Sequence, residues 1–338
     1  MVTMKKIAEL CGVSRGTVDR ALNGRGRVNA ETAEHIRKMA KQLGYEPNPA
    51  GKALAARKNR PVIGVILSSE GNAFFDKVIE GMKDAAREYA VYGLQVDIRT
   101  MKGYQPEEQL RLMEELQPEV KALILNPIND ARVIDKIDEL VAAGIFVVNV
   151  NNDVDGSKRH CYVGSDYYNG GITSCALLEA MIGRSAEIGL ILGSRQVLGH
   201  KQRLDGFMHR MQRVENFHVI DVIEHEDDEI FAYERTKAFL LAHPETTALV
   251  SLAAGVYGIG RAVMQLPKEK RPMVIAFDSV PTTVEMMKFG VVRATIFQHP
   301  YRQGHLAVDL AFAYLVNGRM PGKQEYILKN EIRLLENL

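Results

Sequence analysis

Cysteine is scarce: Cys11, Cys161 and Cys175 are the only three in 338 residues. They are odd in number and widely spaced, with no Cys-x-x-Cys pair. The pattern offers neither a zinc framework nor a disulfide scaffold and reads as three reduced thiols. Long apolar runs are missing too, since no stretch approaches the ~20 residues a membrane helix needs. The N-terminus lacks the apolar core of a secretory signal. A soluble cytoplasmic protein with no membrane partner is therefore expected. Catalytic signatures are equally thin. There is no Gly-x-Ser-x-Gly elbow and no Ser/His/Asp or Cys/His set. His200, His299 and His305 show no paired metal spacing. His225-Glu226-Asp227-Asp228-Glu229 reads as an acidic, solvated loop entering a helix, where acids are favoured, rather than as a cation site. Gly255-x-x-Gly258-x-Gly260 follows a strand, but its spacing is neither the dinucleotide fingerprint nor a P-loop. No catalytic residue, cofactor or metal is expected.

Charge is balanced overall, at 43 Lys+Arg against 42 Asp+Glu. The balance hides an asymmetry. Residues 1–60 hold 13 basic and 5 acidic residues, whereas the rest holds 30 basic and 37 acidic. A basic end on an acidic body is expected where only one part of a chain meets phosphate.

Within that basic end, Ala8, Gly12 and Val18 have the spacing of a helix-turn-helix. Ala8 is small where two helices cross, Gly12 supplies a positive φ at the turn, and Val18 packs the second helix onto the first. Ser14 precedes that second helix as an N-cap. Helices are expected at about 5–11 and 15–23. After a Gly24-Arg25-Gly26 turn, Asn29 caps a third, striped by Ala33, Ile36, Ala40 and Leu43 and ended by Gly44. A short segment with Asn48 as N-cap and Pro49 as first helical residue follows. It is too short to be stable alone, so it reads as a conditional helix, formed on DNA and frayed off it. The second helix of such a head lies in the major groove and reads bases.

From Pro61 the rhythm becomes strand and helix in alternation. Strands are expected at about 62–67, 94–98, 122–125, 146–150, 187–192, 219–223, 248–252, 273–277 and 294–297, with a restart after Tyr162-Val163-Gly164. Continuous apolar strands between helices mean parallel sheets covered on both faces. About ten strands in two similar runs give two doubly wound lobes, whose ligands sit beyond the strands' carboxyl ends around one cleft. The fold class is thus an all-α helix-turn-helix head (1–46), a hinge (47–60) and an α/β sensor (61–338). Lobe 1 is placed at about 61–162 and 294–326, lobe 2 at about 163–293 and 327–338.

The head carries Met4-Lys5-Lys6-Ile7-Ala8, Gly12-Val13-Ser14, Thr17-Val18-Asp19-Arg20-Ala21-Leu22-Asn23-Gly24, Val28 and Leu43-Gly44-Tyr45 followed by Pro47-Asn48. On these residues the chain resembles the lac repressor (LacI/GalR) family of transcriptional regulators. The body resembles sugar-binding proteins of the ribose-binding, periplasmic type I kind. The matching stretches are Asn72-Ala73-Phe74-Phe75, Asn126-Pro127, Val163-Gly164-Ser165-Asp166, Gln202-Arg203 with Gly206-Phe207, Phe277-Asp278 and Ala294-Thr295-Ile296-Phe297-Gln298. The resemblance implies a repressor without enzymatic activity. It also implies a homodimer, or a tetramer built from it, on a palindromic operator, under allosteric control by a small effector.

The family's base-contacting positions fall on Arg15, Gly16 and Arg20. An Arg fork can bond guanine O6 and N7 together, whereas Gly16 has no side chain to read with, which loads more of the choice on Arg15. Asp19 either accepts from cytosine or orients a neighbouring Arg. Ser14, Thr17 and Asn23 suit phosphate contacts, which position without specifying. Leu54 matches the family's minor-groove wedge, or packs its own short helix onto the body; Lys52 and Arg57 would flank it at phosphates.

The effector, a sugar or sugar derivative, is expected between the lobes, held by Asn72, Asn126, Asn151, Asn152, Asp153, Asp166, Arg203, Asp278 and Gln298 at strand ends. Phe74 and Phe75 give an apolar wall or serve as core, and Tyr257 fills space beside Ala253-Ala254-Gly255. Asp153 also reads as a turn residue, and Asn126 as a cap. The body departs from the ribose type in two places. Ala253-Ala254 stands where an Asn-Asp pair is usual, and Asn151-Asn152 where Asp-Arg is usual. A nucleobase or nucleoside effector is the alternative ligand. An enzyme of doubly wound fold with a DNA-binding head is the remote alternative.

Overall fold

The computed structural model describes all residues except 1, 23–27, 46–52, 55, 59, 184 and 196. The head is three helices, α1 (Met4–Cys11), α2 (Arg15–Leu22) and α3 (Ala30–Gln42). Ile7, Ala8, Val18, Ala21, Ala33, Ile36 and Ala40 close its core. Gly12 ends α1 at φ 65°, in the left-handed region that glycine enters without Cβ strain. The N–H of Thr17 donates to Ser14 Oγ at 3.1 Å, so Ser14 caps α2. The Gly24-Arg25-Gly26 turn and the Asn48-Pro49 helix start lie outside the described residues. Residues 53–54 and 56–58 are helical. Ala53 and Ala56 are buried, and Arg57 Nε donates to the Val91 carbonyl at 2.9 Å.

The body has two six-stranded sheets. The first runs in the order β11-β5-β4-β3-β1-β2 and the second β12-β10-β9-β8-β6-β7. In chain order the strands are β1 (Val62–Ser68), β2 (Gln95–Met101), β3 (Ala122–Leu125), β4 (Phe146–Val150), β5 (Cys161–Ser165), β6 (Ala186–Leu192), β7 (Phe217–Glu224), β8 (Ala248–Ser251), β9 (Met273–Phe277), β10 (Val292–Phe297), β11 (Glu325–Leu328) and β12 (Glu331–Arg333). All pairings are parallel except β10 with β12. Central strands such as β3, β4 and β8 are buried along their whole length, as expected where helices cover both faces.

Helices α4 (Phe74–Glu88), α5 (Pro106–Leu116), α6 (Ala131–Ala142) and α12 (Pro300–Asn317) cover the first sheet. Helices α7 (Tyr167–Ile182), α8 (Leu198–Met211), α9 (Glu229–Ala242), α10 (Val256–Met264) and α11 (Pro281–Lys288) cover the second. The chain passes between lobes after β5, after β10 and after β11. These crossings differ from the expected boundaries at 163, 294 and 327. Residues 163–165 finish β5 in the first sheet, 294–297 complete β10 in the second, and 327–328 complete β11 in the first. Apolar strands look alike in either sheet, so only pairing assigns them. The edge strands β11 and β12 were not expected at all, because they are short and mostly half-exposed.

Glycines set one feature that matters for the cleft. A Cβ on Gly171 of α7 would lie 2.0 Å from the carbonyl oxygen of Arg203, and one on Gly206 of α8 would lie 2.0 Å from that of Tyr168. The two helices therefore cross backbone to backbone, which fixes the root of the Arg203 side chain.

Candidate functional site

The carboxyl ends of both sheets face one cavity of about 270 Å3, just below the roughly 300–1,000 Å3 usual for ligand pockets. From the first lobe come Ser68 at the end of β1, Asn72, Phe74 and Phe75 at the start of α4, and Tyr104 after β2. Asn126 follows β3, and Asn151 and Asn152 follow β4. From the second come Tyr167 on α7, His200 and Arg203 on α8, Asp227 and Glu229 after β7, and residues 253–256 after β8. Phe277 and Asp278 at β9 and Gln298 after β10 complete it.

Arg203 is the central cation of this wall. Its side chain is buried with Nη1 donating to the Leu252 carbonyl at 2.7 Å. Its guanidinium lies 4.8 Å from the Tyr167 ring centroid and 3.9 Å from that of Phe277, two cation–π contacts that hold it in place. Asp278 sits at φ 63°, a left-handed conformation that Asp tolerates better than most residues. Its Oδ2 accepts from Gln298 Nε2 at 2.8 Å. Burial lifts its carboxyl to about 6, against the opposing pull of Arg203. Arg203 Nε, Asp278 Oδ1, Gln298 Oε1 and Ser68 Oγ are buried without a hydrogen-bond partner. Buried polar atoms are rarely left so, because each costs about 1–3 kcal/mol. Here they border one cavity and suit a polar guest.

Asp227 closes the other end. Its Oδ1 accepts from the Ala254 N–H at 3.2 Å, and its Oδ2 from the Tyr104 hydroxyl at 2.5 Å. The second bond joins the loop after β2 to the loop after β7 and so spans the cleft. Burial works to raise this carboxyl, but His200 and the Tyr104 and Ala254 donors outweigh it and hold it below the ordinary aspartate value. His200 Nδ1 accepts from the Ser194 N–H at 3.2 Å, and burial lowers the ring's pKa. Glu229 accepts from the Gly258 N–H at 2.7 Å. The glycine-rich start of α10, weighed from sequence as a phosphate cradle, thus already holds a carboxylate of its own chain.

On the head, Arg15, Gly16 and Arg20 are exposed on α2. Ser14 Oγ lies 2.9 Å from Thr17 Oγ1, and Arg20 Nη2 donates to Thr17 Oγ1 at 3.4 Å. Asp19 is half-buried and near Tyr45, whose hydroxyl is pushed up by burial and by Asp19, while Arg15 pulls it down. Leu54 is 73% exposed, although its neighbours Ala53 and Ala56 are buried. Asn23 and Lys52 lie outside the described residues.

Comparison with known proteins agrees with this division. Residues 63–319 match the family model described as periplasmic binding protein domain, and residues 3–48 match bacterial regulatory proteins, lacI family. The chain belongs to the periplasmic binding protein domain family over residues 63–319, and residues 3–48 form a lacI-family head. It is 25% identical over 316 residues to the ribose operon repressor of Bacillus subtilis (strain 168), covering 92% of this chain and 90% of that protein. It is 30% identical over 211 residues to the HTH-type transcriptional regulator GntR of Pseudomonas aeruginosa, covering 62% and 59%. Among solved structures it is similar to GanP, a glucose-galactose binding protein from Geobacillus stearothermophilus. That match has a TM-score of 0.76 and 24% identity, and covers 82% of this chain and 98% of that one. This chain is a DNA-binding transcriptional regulator with a periplasmic-binding-protein sensor. No helix among the described residues is long and apolar enough to cross a membrane.

In this regulator the cavity gathers Asn72, Phe74, Phe75, Asn126, Asn151, Asn152, Arg203, Asp278 and Gln298 from the residues picked by sequence. Phe74 and Phe75 belong to the first-lobe core and line the cavity as well, meeting edge to face. Asn126 is no cap; its Nδ2 reaches toward the Val150 carbonyl at 3.3 Å and Asn151 Oδ1 at 3.4 Å. Three expected residues lie off the lining. Asp153 is held by Arg159 and accepts from Asn149 Nδ2 at 2.8 Å. Asp166 is exposed and caps α7 through the Asn169 N–H at 2.8 Å. Tyr257 leans into the α10 core beside Arg261.

The sequence reading missed Ser68, Tyr104, Tyr167, His200, Asp227, Glu229 and Phe277. Asp227 and Glu229 were assigned to a solvated loop. In the fold, the Asp227 side chain is only 11% exposed because Tyr104 and the β8 loop cover it. A usable signal was present: Asp227 follows a strand's carboxyl end, and His200 lies three residues before Arg203 on one helix face.

Proposed function

We propose that this regulator represses transcription as a homodimer on a two-fold symmetric operator, in the cytoplasm where that DNA lies. A sugar or sugar derivative in the cleft controls it. The observation that carries the reading is the set of unpartnered buried polar atoms, Arg203 Nε, Asp278 Oδ1, Gln298 Oε1 and Ser68 Oγ, around one cavity between the sheets. Sugars offer hydroxyls to such groups and C–H faces to aromatic walls such as Phe74 and Phe75. The printed names of relatives lend support, since the ribose operon repressor and GanP are named for sugars.

On the head, Arg15 and Arg20 would read bases from exposed positions on α2. Ser14 and Thr17 would hold phosphate, with Asn23 and Lys52 as further candidates. Gly16 leaves room there, since a Cβ on it would meet only Ser14 Oγ, at 3.8 Å. Asp19 would orient an arginine. Leu54 would enter the minor groove, and Arg57, now bonded to Val91, would exchange that carbonyl for a phosphate. Ligand would favour one arrangement of the lobes and thereby one geometry of the paired hinges, a coupling typically of ~1–3 kcal/mol.

The test is a thermal-shift screen of the full chain against sugars, polyols and nucleosides, followed by binding to operator selected from genomic DNA. A sugar or polyol that raises the melting temperature and changes operator affinity supports the reading. Stabilisation by nucleosides alone would replace the ligand class, and no preference for any palindrome would sink the operator reading.

A further inference from the structure

We infer that the cleft accepts polyhydroxylated ligands without a carboxylate or phosphate, and so separates a sugar or cyclitol from its acid or phosphate ester. The inference rests on the reading of the cleft as a sugar site. Among the described residues, Arg203 is the one Lys or Arg in the lining, which it shares with the carboxyl groups of Asp227, Glu229 and Asp278. Its charge is offset by the nearby Asp278 carboxylate, Nη1 is taken by Leu252, and the Tyr167 and Phe277 rings lie against the guanidinium, which leaves Nε as its unpartnered donor.

The other groups that could cradle an anion are occupied. The Gly258 N–H of α10 is bonded to Glu229, and the Ala254 N–H to Asp227. His200 is buried and uses Nδ1 as an acceptor. What remains unpartnered is rich in acceptors. Asp278 Oδ1 and Gln298 Oε1 are both acceptors, on side chains joined by the Gln298 Nε2 to Asp278 Oδ2 bond, and Gln298 is 2% exposed. Such acceptors fit hydroxyls, which donate. A carboxylate or phosphate can donate nothing there at neutral pH and would meet like charges inside a poorly screened cavity.

Calorimetry on the full chain tests this with matched probes: ribose against ribonate, glucose against gluconate and glucose 6-phosphate, and myo-inositol against its monophosphate. For whichever neutral member binds, the charged counterpart is expected to be weaker by on the order of 100-fold. A charged member binding as tightly as its neutral counterpart would overturn the charge inference and leave the sugar reading intact. Failure of every probe, neutral and charged, would sink the sugar reading and this inference with it.

Discussion

The two walls of the cleft are built from different chemistry. The first lobe contributes amides, a hydroxyl and rings: Ser68, Asn72, Phe74, Phe75, Tyr104, Asn126, Asn151 and Asn152. Every Arg, His, Asp and Glu in the lining comes from the second lobe. The unpartnered atoms divide in the same way, with Arg203, Asp278 and Gln298 on one side against Ser68 on the other. The second lobe therefore sets the charge and the strong hydrogen bonds of recognition. The first closes over with neutral groups whose own bonds are largely made within it, as Asn126 illustrates. Recognition and closure are in this way assigned to different lobes, an arrangement suited to a sensor whose signal is their relative position.

The largest test of that division is Arg203→Ala. It removes a buried charge that neighbours Asp278 and opens the space between Tyr167 and Phe277. Sugar affinity should fall by at least about 100-fold, in line with truncation of a buried charged group. Arg203→Lys should not restore it, because a lysine cannot supply a flat fork between two rings. Titration calorimetry reads both.

A pH series comes next. Burial raises the Asp278 carboxyl to about 6, with Arg203 and the hydrogen bond from Gln298 opposing. The group is ionised above that pH and protonated below it. Affinity for a hydroxylated ligand should be full above about pH 7 and fall as pH drops through 6, roughly tenfold between pH 7 and 5. Asp278→Asn should flatten the profile. Stability should move the other way. The unfolded carboxyl keeps an ordinary value near 3.8, so the folded chain binds more protons between pH 4 and 6 and loses stability as pH rises through that window.

A smaller effect belongs to Tyr104→Phe, which deletes the cross-cleft bond to Asp227 while keeping the ring. A hydrogen bond of this kind contributes about 1 kcal/mol net, or roughly fivefold. Ligand affinity should drop by that factor, and scattering should report a more open unliganded sensor. An unchanged affinity and shape would mean that the first lobe closes without this bond.

Much of this was legible because the chain follows simple rules. Fully apolar runs such as Ala122–Leu125 and Phe146–Val150 announce buried parallel strands. The residues just beyond them, Asn126 and Asn151, fall in the cleft because parallel sheets place strand ends there. The rule fails where a local partner takes the side chain first. Asp153 meets Arg159 six residues on, and Asp166 turns back to cap its own helix. It also fails where burial comes from far along the chain. Asp227 sits in an acidic run that looks solvated, and Tyr104, which shields it, is 123 residues away. Lobe membership of β10 was illegible for a related reason, since pairing with β9 and β12 is a tertiary choice.

The most direct test of the whole account is reciprocity between head and cleft. Operator affinity should be measured with and without saturating sugar, and sugar affinity with and without saturating operator. The account predicts that both change, in the same direction and by the same factor, within the roughly 5–150-fold usual for such coupling. A sugar that binds tightly while leaving operator affinity untouched would contradict it.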